Sequence, residues 1–589
     1  MAHRRWARTF GIVIAVAVWL CLGLALPIVL SLYSSDMASD AVEAAPLDAF
    51  TISRPVAVST APNIRIDRGT VAFVDASGNA LPASPSSGSA TAPQPSQNLR
   101  LYNATISFGP EPETAAAKTG AASSFPLSPF TEVLAGGRFE TLSLRRTTLV
   151  VHGLFETPEA LTDVKADVSM RRRGFISIKG SAFMRGHRVQ IDALANVGQA
   201  ERRGALLSKM PVKLSIKGDH VDFNFDGRMM PAAEQIELNG QGDLALPSGR
   251  SLARWFGSYW PSGPGLQDVA VKGQIRVSRQ TLAFENATVR MDGNEGAGVI
   301  GLQLRQPRPV VTGTLAYKSF DARPYLSMSR QIPRDGFDWS SLAAGALTVP
   351  LGMHLDADLR ISADRVQFGT FELGRLATTI ALKDGRLLAD IADVKFNGGE
   401  GGGQISADFS GFVPKVSVRG RLDRIDLAML SGSLGAGHVL SGKAGVVGDL
   451  LGSGATMSDL IRGMAGKIAV SAQSPGKIGL DLRGMAETTR SKPLTGWAST
   501  TPGVTDFDSM DLRLVLRDGT ILTDVAETRS SDGVWTAVGV VNLLSDRIDL
   551  RLSQVAPKSG PGAVFAAPQR VLELNGPLSA PRFRAGSVP

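Results

Sequence analysis

The sequence predicts a mainly β protein: an N-terminal transmembrane helix, then an elongated, repetitive antiparallel sheet with a few short helices. Three observations predict it. Short runs alternate apolar and polar residues with period two, the pattern of strands that have one apolar face. Gly, Asp-Gly, Asn-Gly or Pro breaks these runs at roughly ten-residue intervals, as antiparallel connections require. The text also repeats itself at long range.

The 589-residue chain begins with the cations His3, Arg4, Arg5 and Arg8, and Phe10–Leu32 follows with 23 residues and no charge. At ~1.5 Å per residue that run reaches roughly 34 Å, enough for a bilayer core. Asp36, Asp40, Glu43 and Asp48 lie beyond it. A basic flank stays cytoplasmic, so the bulk of the chain is expected across the membrane. A cleaved signal peptide is the alternative: Pro27 could end a shorter run, and Val42-Glu43-Ala44 is a poor cleavage site. The run exceeds the ~7–15 residues usual for such peptides. Leu81–Gln97 is a Pro/Ser/Ala tract that reads as a linker or a long loop, and Ala115–Pro129 is a weaker one.

From about Phe139 the strand text begins. Candidate residues of the apolar face are Val212, Leu214 and Ile216; Val221, Phe223 and Phe225; Val416, Val418 and Leu422; Leu512, Leu514 and Leu516; and Ile548, Leu550 and Leu552. Polar residues such as Ser417, Arg419 and Arg421 alternate with them. Helical text is confined to Ser251–Trp260, Ile425–Leu434 and Met457–Met464. None is long enough to cover a large sheet. The apolar face must therefore close on itself or be used for something.

Two internal echoes suggest growth by duplication. Leu282–Asp321 shifted by 105 places Val289 on Val394, Gly293 on Gly398, Gly296 on Gly401, Pro309 on Pro414 and Asp321 on Asp426. Leu382–Asp390 (LKDGRLLAD) matches Leu516–Asp524 (LRDGTILTD) at a shift of 134. Unequal shifts fit a strand array better than fixed propeller blades.

Composition narrows the function classes. A net charge of +8 over this length is too thin for a dedicated nucleic-acid binder. The single cysteine, Cys21, lies in the apolar run, leaving no disulfide or thiolate metal site downstream. Gly296–Gly301 satisfies G-x-G-x-x-G, but strand text ending at Pro307 follows where a dinucleotide site needs a helix, so a hairpin turn is expected. Gly437–Ala444 lacks the Ser/Thr of a phosphate loop. Ser474-Pro475-Gly476-Lys477 and Lys118-Thr119-Gly120 occur in the wrong order for a penicillin-binding enzyme. His3, His152, His187, His220, His354 and His438 are scattered. No catalytic, metal or cofactor-binding residue is nominated, and the chain is read as a non-enzyme.

Several stretches resemble the C-terminal region of AsmA-family proteins of Gram-negative bacteria. Leu355–Ala363 and Phe371–Gly385 resemble paired strands of that family, and Phe396–Ser410 its Gly-rich hairpin. Leu440–Leu482 resembles its most recognisable block, and Val571–Phe583 (VLELNGPLSAPRF) its closing phrase. Residues 34–131 fit the family poorly. The resemblance implies a β-groove envelope protein, anchored once in the bacterial inner membrane with its bulk in the periplasm. It also implies a role in outer-membrane biogenesis, with phospholipid carried between membranes along the groove. A scaffold that assists outer-membrane protein assembly or secretion is the alternative. Expected partners are phospholipid, the inner membrane and other envelope proteins, with no nucleic acid. The expected organisation is a basic tail (1–9), an anchor (10–32), a degenerate β region with the Pro/Ser linker (33–133), β-groove repeats (134–341) and the AsmA-like region (342–589).

Overall fold

The computed structural model describes residues 50–52, 56–59, 64–74, 98–108, 141–151, 159–171, 175–196, 202–203, 206–207, 210–231, 236–255, 265–278, 281–303, 308, 310–325, 356–368, 371–433, 440–500, 503–555, 569–577 and 580–587. The expected anchor Phe10–Leu32 and both Pro/Ser-rich tracts lie outside them, and no described helix is long and apolar enough to cross a membrane. The protein is mainly β, built on an extensive, largely antiparallel sheet. The chain divides into two compact units. One holds Met1–Trp260, Gln267–Met291 and Val299–Pro309; the other holds Pro261–Leu266, Asp292–Gly298 and Val310–Pro589.

The strands of the first unit are β1 (Phe50–Ile52), β2 (Val56–Ser59), β3 (Ile64–Val74), β4 (Asn98–Phe108), β5 (Thr141–Val151), β6 (Glu159–Arg171), β7 (Phe175–Met184), β8 (His187–Asn196), β9 (Arg202–Arg203), β10 (Leu206–Leu207), β11 (Met210–Gly218), β12 (Val221–Pro231) and β13 (Ile236–Ser248). Helix α1 (Gly249–Trp255) follows, then β14 (Gln267–Val277) and β15 (Thr281–Met291). β1 and β2 both pair with β3; from β3 on, apart from the separate β9–β10 pair, each strand lies beside its neighbour in sequence, β8 reaching β11. Every described pairing is antiparallel except β4 with β5, which run parallel.

Several of these strands are bent. Asn103, Arg146, Asp163 and Asn286 take φ of 47°, 50°, 47° and 49° in mid-strand. Each sits at a register shift, the mark of a β-bulge that sharpens local twist. Leu144 and Leu149, on either side of the Arg146 bulge, line one cavity of about 30 Å³ with Leu161, Val164 and Ile178. That is room on the scale of a water molecule. Helix α1 adds the buried Leu252 and Trp255, and the Trp255 indole donates from Nε1 to the Met184 carbonyl at 3.0 Å.

Strand β16 (Asn294–Gln303) is divided between the units. The second unit then holds β17 (Val310–Tyr317), β18 (Phe320–Asp321), β19 (Asp356–Ala363), β20 (Val366–Phe368), β21 (Phe371–Lys383), β22 (Arg386–Phe396), β23 (Gly399–Asp408) and β24 (Lys415–Asp426). Helix α2 (Leu427–Ser433), β25 (Leu440–Ser453), α3 (Met457–Arg462), β26 (Ala465–Ile478), α4 (Leu482–Thr488) and β27 (Leu494–Thr495) come next. The series ends with β28 (Thr505–Arg517), β29 (Thr520–Ser530), β30 (Gly533–Asn542), β31 (Arg547–Val555), β32 (Arg570–Pro577) and β33 (Arg582–Ala585). Pairing is antiparallel from β19 onward, with β26 passing β27 to reach β28. β17 with β19 and β18 with β20 are parallel.

The duplication reaches the strand boundaries. Shifting β15 and β16 by 105 residues reproduces the bounds of β22 and β23. Shifting β21, β22 and β23 by 134 reproduces those of β28, β29 and β30. The connecting turns are conserved in kind: Asp292-Gly293, Asp384-Gly385, Asn397-Gly398 and Asp518-Gly519 all place both central residues at positive φ. That geometry makes a two-residue turn whose twist matches the flanking strands, and Gly takes it without a Cβ penalty.

Two local expectations are corrected. Gly296–Gly301 is part of β16 and not a hairpin turn; the turn lies just before it, at Asp292-Gly293. Its glycines are required by close approach, since a Cβ on Gly296 would stand 2.5 Å from the Tyr317 ring. The helical text is also only partly helical where it is described: Ile425 and Asp426 end β24 before α2 begins, α3 stops at Arg462, the expected ends at 256–260 and Leu434 lie outside the described residues, and α4 was not anticipated.

Candidate functional site

The register assigns each side chain of the second unit to a face. Val416 lies opposite Ala407, and Val418 opposite Ile405 and Leu450. Leu450 faces Gly466, and Ile468 faces Gly448 and Leu514. These residues make one apolar face across β23 to β28. Ser417, Arg419 and Arg421 alternate onto the other face, where Arg419 meets Asp449 at 3.1 Å and Arg386 meets Asp408 at 3.2 Å across strand pairs. Such exposed pairs contribute only about 0.2–1 kcal/mol each, but they reinforce the register that keeps the apolar set together.

The apolar faces of the two units differ in cover. In the first, Ile216 and Phe223 are fully buried, and Val212, Leu214, Val221 and Phe225 are nearly so. All six candidates there are packed by protein. In the second, Val416, Leu422, Ile405, Val446, Leu450, Ile468 and Leu514 are only half-buried, and Val418 is 37% exposed. A row of glycines crosses this region, Gly403 beside Gly420 and Gly420 beside Gly448. A Cβ on Gly448 would meet nothing within 4 Å. Each half-open aliphatic side chain forgoes roughly 1 kcal/mol of burial that an apolar occupant would restore.

Cover returns at one set of strand ends. Helix α2 is capped by Asp426, whose carboxylate accepts the amides of Ala428 and Met429 and pairs with Lys443 at 2.9 Å. Its Leu427 packs with Ala444, Ala472, Phe507 and Met510, and Leu512 leans on that cluster. Helix α4 is capped by Asp481 and supplies Met485 to a second cluster with Leu494, Ile548, Leu572, Leu574 and Phe583. Leu550 and Leu552 pack against this cluster, and Leu516 and Ile548 are buried. These four candidates therefore belong to a protein core. Leu512 is covered in part by the Leu427 cluster, and the apolar candidates that stay half-open away from both clusters are Val416, Val418, Leu422 and Leu514. Ile405, Leu450, Ile468 and the glycine row were missed by sequence reading. Ile405 and Leu450 sit in Gly-rich runs whose alternation is diluted, and only the register joins them to Val418.

Residues singled out for chemistry have structural partners. Lys443 is tied to Asp426, and Lys477 lies 3.5 Å from Asp506. Leu440–Ser453 is a strand, so no helix follows the phosphate-loop-like text, while Lys118-Thr119-Gly120 lies outside the described residues. Of the histidines only His187 and His220 are described. The pairing of β8 with β11 brings their rings to 4.5 Å, with Trp255 at 5.6 and 5.2 Å. Among the described residues no group of three or more His, Cys, Asp or Glu could hold a metal ion. Asp408 is held below the usual carboxylate range by hydrogen bonds from Ser410 and by Arg386; Asp423 by Arg421; Asp426 by Lys443 and the α2 amides. That direction favours the charged, ion-paired form over proton donation.

No protein-family model matches the chain, and neither a curated protein nor a solved structure is detectably similar to it. The class defined by fold and site is a long, repeat-built β-sheet protein with a partly uncovered apolar face.

Proposed function

We propose that this chain is an inner-membrane-anchored, periplasmic carrier of phospholipid for outer-membrane biogenesis, and that acyl chains lie along the apolar face of β23 to β28. One observation carries the reading: the face is apolar, continuous in register across those strands, and half-open, with free space above Gly448. A dry core fills such space, as the first unit does around Phe223. An acyl chain needs a path that is apolar and narrow, with polar strand ends for the headgroup, and a row without side chains supplies the depth. The anchor and the periplasmic location rest on the charge pattern around Phe10–Leu32 and on the family resemblance. No catalytic residue, cofactor or metal takes part.

The test is mass spectrometry of lipid released from the purified full chain, with transfer between vesicles measured alongside. Phospholipid bound in a fixed ratio to protein and lost when Gly448 is replaced by Phe supports the carrier. Lipid-free protein that still restores envelope integrity to cells lacking it would point to the scaffold.

A further inference from the structure

We infer that the turn between β23 and β24 is a docking element for an anionic bilayer surface. Its base is pinned on both sides: Phe409 donates its amide to the Gly385 carbonyl at 2.9 Å, and Gly454 donates to the Pro414 carbonyl at 3.1 Å. Ser410 closes onto Asp408 through its amide and its hydroxyl. From that base Phe412 projects with its side chain wholly in solvent, and Val413 is half exposed beside it. An aromatic and an aliphatic residue held out by a fixed turn lose apolar burial in water, and the interfacial zone of a membrane recovers it. The charge around the tip suits the same occupant. Asp408 is already satisfied by Arg386 and Ser410. Lys415 follows the turn, and Lys383 stands at the neighbouring Asp384-Gly385 turn whose Gly385 carbonyl binds Phe409; neither lysine is in an ion pair among the described residues. At the base lies a cleft of about 290 Å³ whose lining includes Leu388, Leu451, Ser406, Ser417, Lys415 and the ion pair of Arg386 with Asp408. With Asp408 neutralised by that pair, Lys415 is the cleft's free charge among the described residues, beside aliphatic and hydroxyl groups that fit a lipid headgroup and its first methylenes. A protein partner would bury the same tip, but the unpaired lysines favour a surface of lipid phosphates.

The docking stands on the tip and does not require the apolar face to carry lipid. The full chain, reconstituted in phosphatidylcholine vesicles, is mixed with separate fluorescent vesicles containing phosphatidylglycerol. Wild type is expected to recruit them, and Phe412→Ser with Val413→Ser to reduce recruitment severalfold at unchanged circular dichroism. Lys415→Glu should weaken recruitment at low salt and match wild type at high salt. In a Cys21→Ser background, an environment-sensitive dye on Phe412→Cys should shift to the blue when the vesicles are added. Wild type that recruits no vesicles, or a double variant that recruits them as well as wild type, overturns the proposal. Equal recruitment of vesicles lacking phosphatidylglycerol overturns its electrostatic half. Bound lipid is measured on the same samples: tip-dependent recruitment by lipid-free protein leaves docking standing while the carrier reading fails.

Discussion

Gly448 lies directly across the β24–β25 ladder from Gly420, and the space above Gly448 is empty. Gly403 continues the row on the far side of Gly420, yet its own surroundings are tight: a Cβ there would stand 2.3 Å from the Arg419 carbonyl oxygen. Two glycines of one row thus have opposite reasons to be glycine.

That contrast predicts opposite responses to substitution. Gly448→Phe should fold at wild-type yield and gain up to ~1 kcal/mol from its strand preference. Gly403→Ala should lose about 1–3 kcal/mol, because the obstruction is backbone and cannot swing aside. Thermal melts of the two variants beside wild type decide it. A large loss in Gly448→Phe would mean that the space is needed for packing.

Charge insertion should separate the half-open face from the covered one. Val418→Asp leaves its carboxylate in reach of water, so folded yield should hold. Leu574→Asp and Leu550→Asp place a carboxylate against Leu572, Phe583 and Met485, and should cost several kcal/mol. For Leu550 this reverses what the alternation alone suggests, which is survival in an open groove. Arg551→Asp, on the opposite face, should cost no more than about 1 kcal/mol. Limited proteolysis gives the ranking, and equal sensitivity of Val418→Asp and Leu574→Asp would contradict it.

The His187–His220–Trp255 cluster predicts a pH dependence. Burial lowers the pKa of His220 below its ordinary 6.5, helped by His187 and Arg254 and opposed by Asp219. The unfolded chain therefore binds this proton more readily than the folded one. Stability from this group should be steady above the unfolded pKa and fall as pH drops from about 6.5 toward the lower folded value. Melting temperature against pH should show the decline in wild type and a flatter profile in His220→Gln. Identical profiles would show that the cluster is not the source.

Topology is tested from the far end. Alkaline phosphatase fused after Pro589 should be active, as expected of a periplasmic body behind a cytoplasmic basic flank. An inactive fusion of intact protein would refute the orientation. A mature N-terminus near Ala45 would replace the anchor with a cleaved signal.

Strand identity was legible because the face with Val416 and Val418 alternates cleanly with Ser417 and Arg419, and because Asp384-Gly385 and Asp518-Gly519 announce their turns. The 105- and 134-residue echoes even located equivalent strands. What covers each stretch of apolar face was not legible. In the first unit, the bulges sit at residues such as Arg146 and Asp163, ordinary polar letters until the register is known. In the second, it depends on α4 and on the distant Leu572 and Phe583, which turn Ile548 and Leu550 into core. His187 and His220 meet only because Val189 pairs with Gly218. Gly296–Gly301 misled because Gly296, demanded by the Tyr317 ring, and Gly298, demanded by the Thr314 backbone, look the same as glycines of a turn.

The most direct measurement is the amount of phospholipid per folded chain for wild type, Gly448→Phe and Gly448→Ala, purified identically and quantified by mass spectrometry. Bound lipid in wild type, retained in Gly448→Ala and lost in Gly448→Phe at equal folded yield, is the predicted result. Lipid absent from wild type, or held equally by Gly448→Phe, would contradict a carrier working along this face.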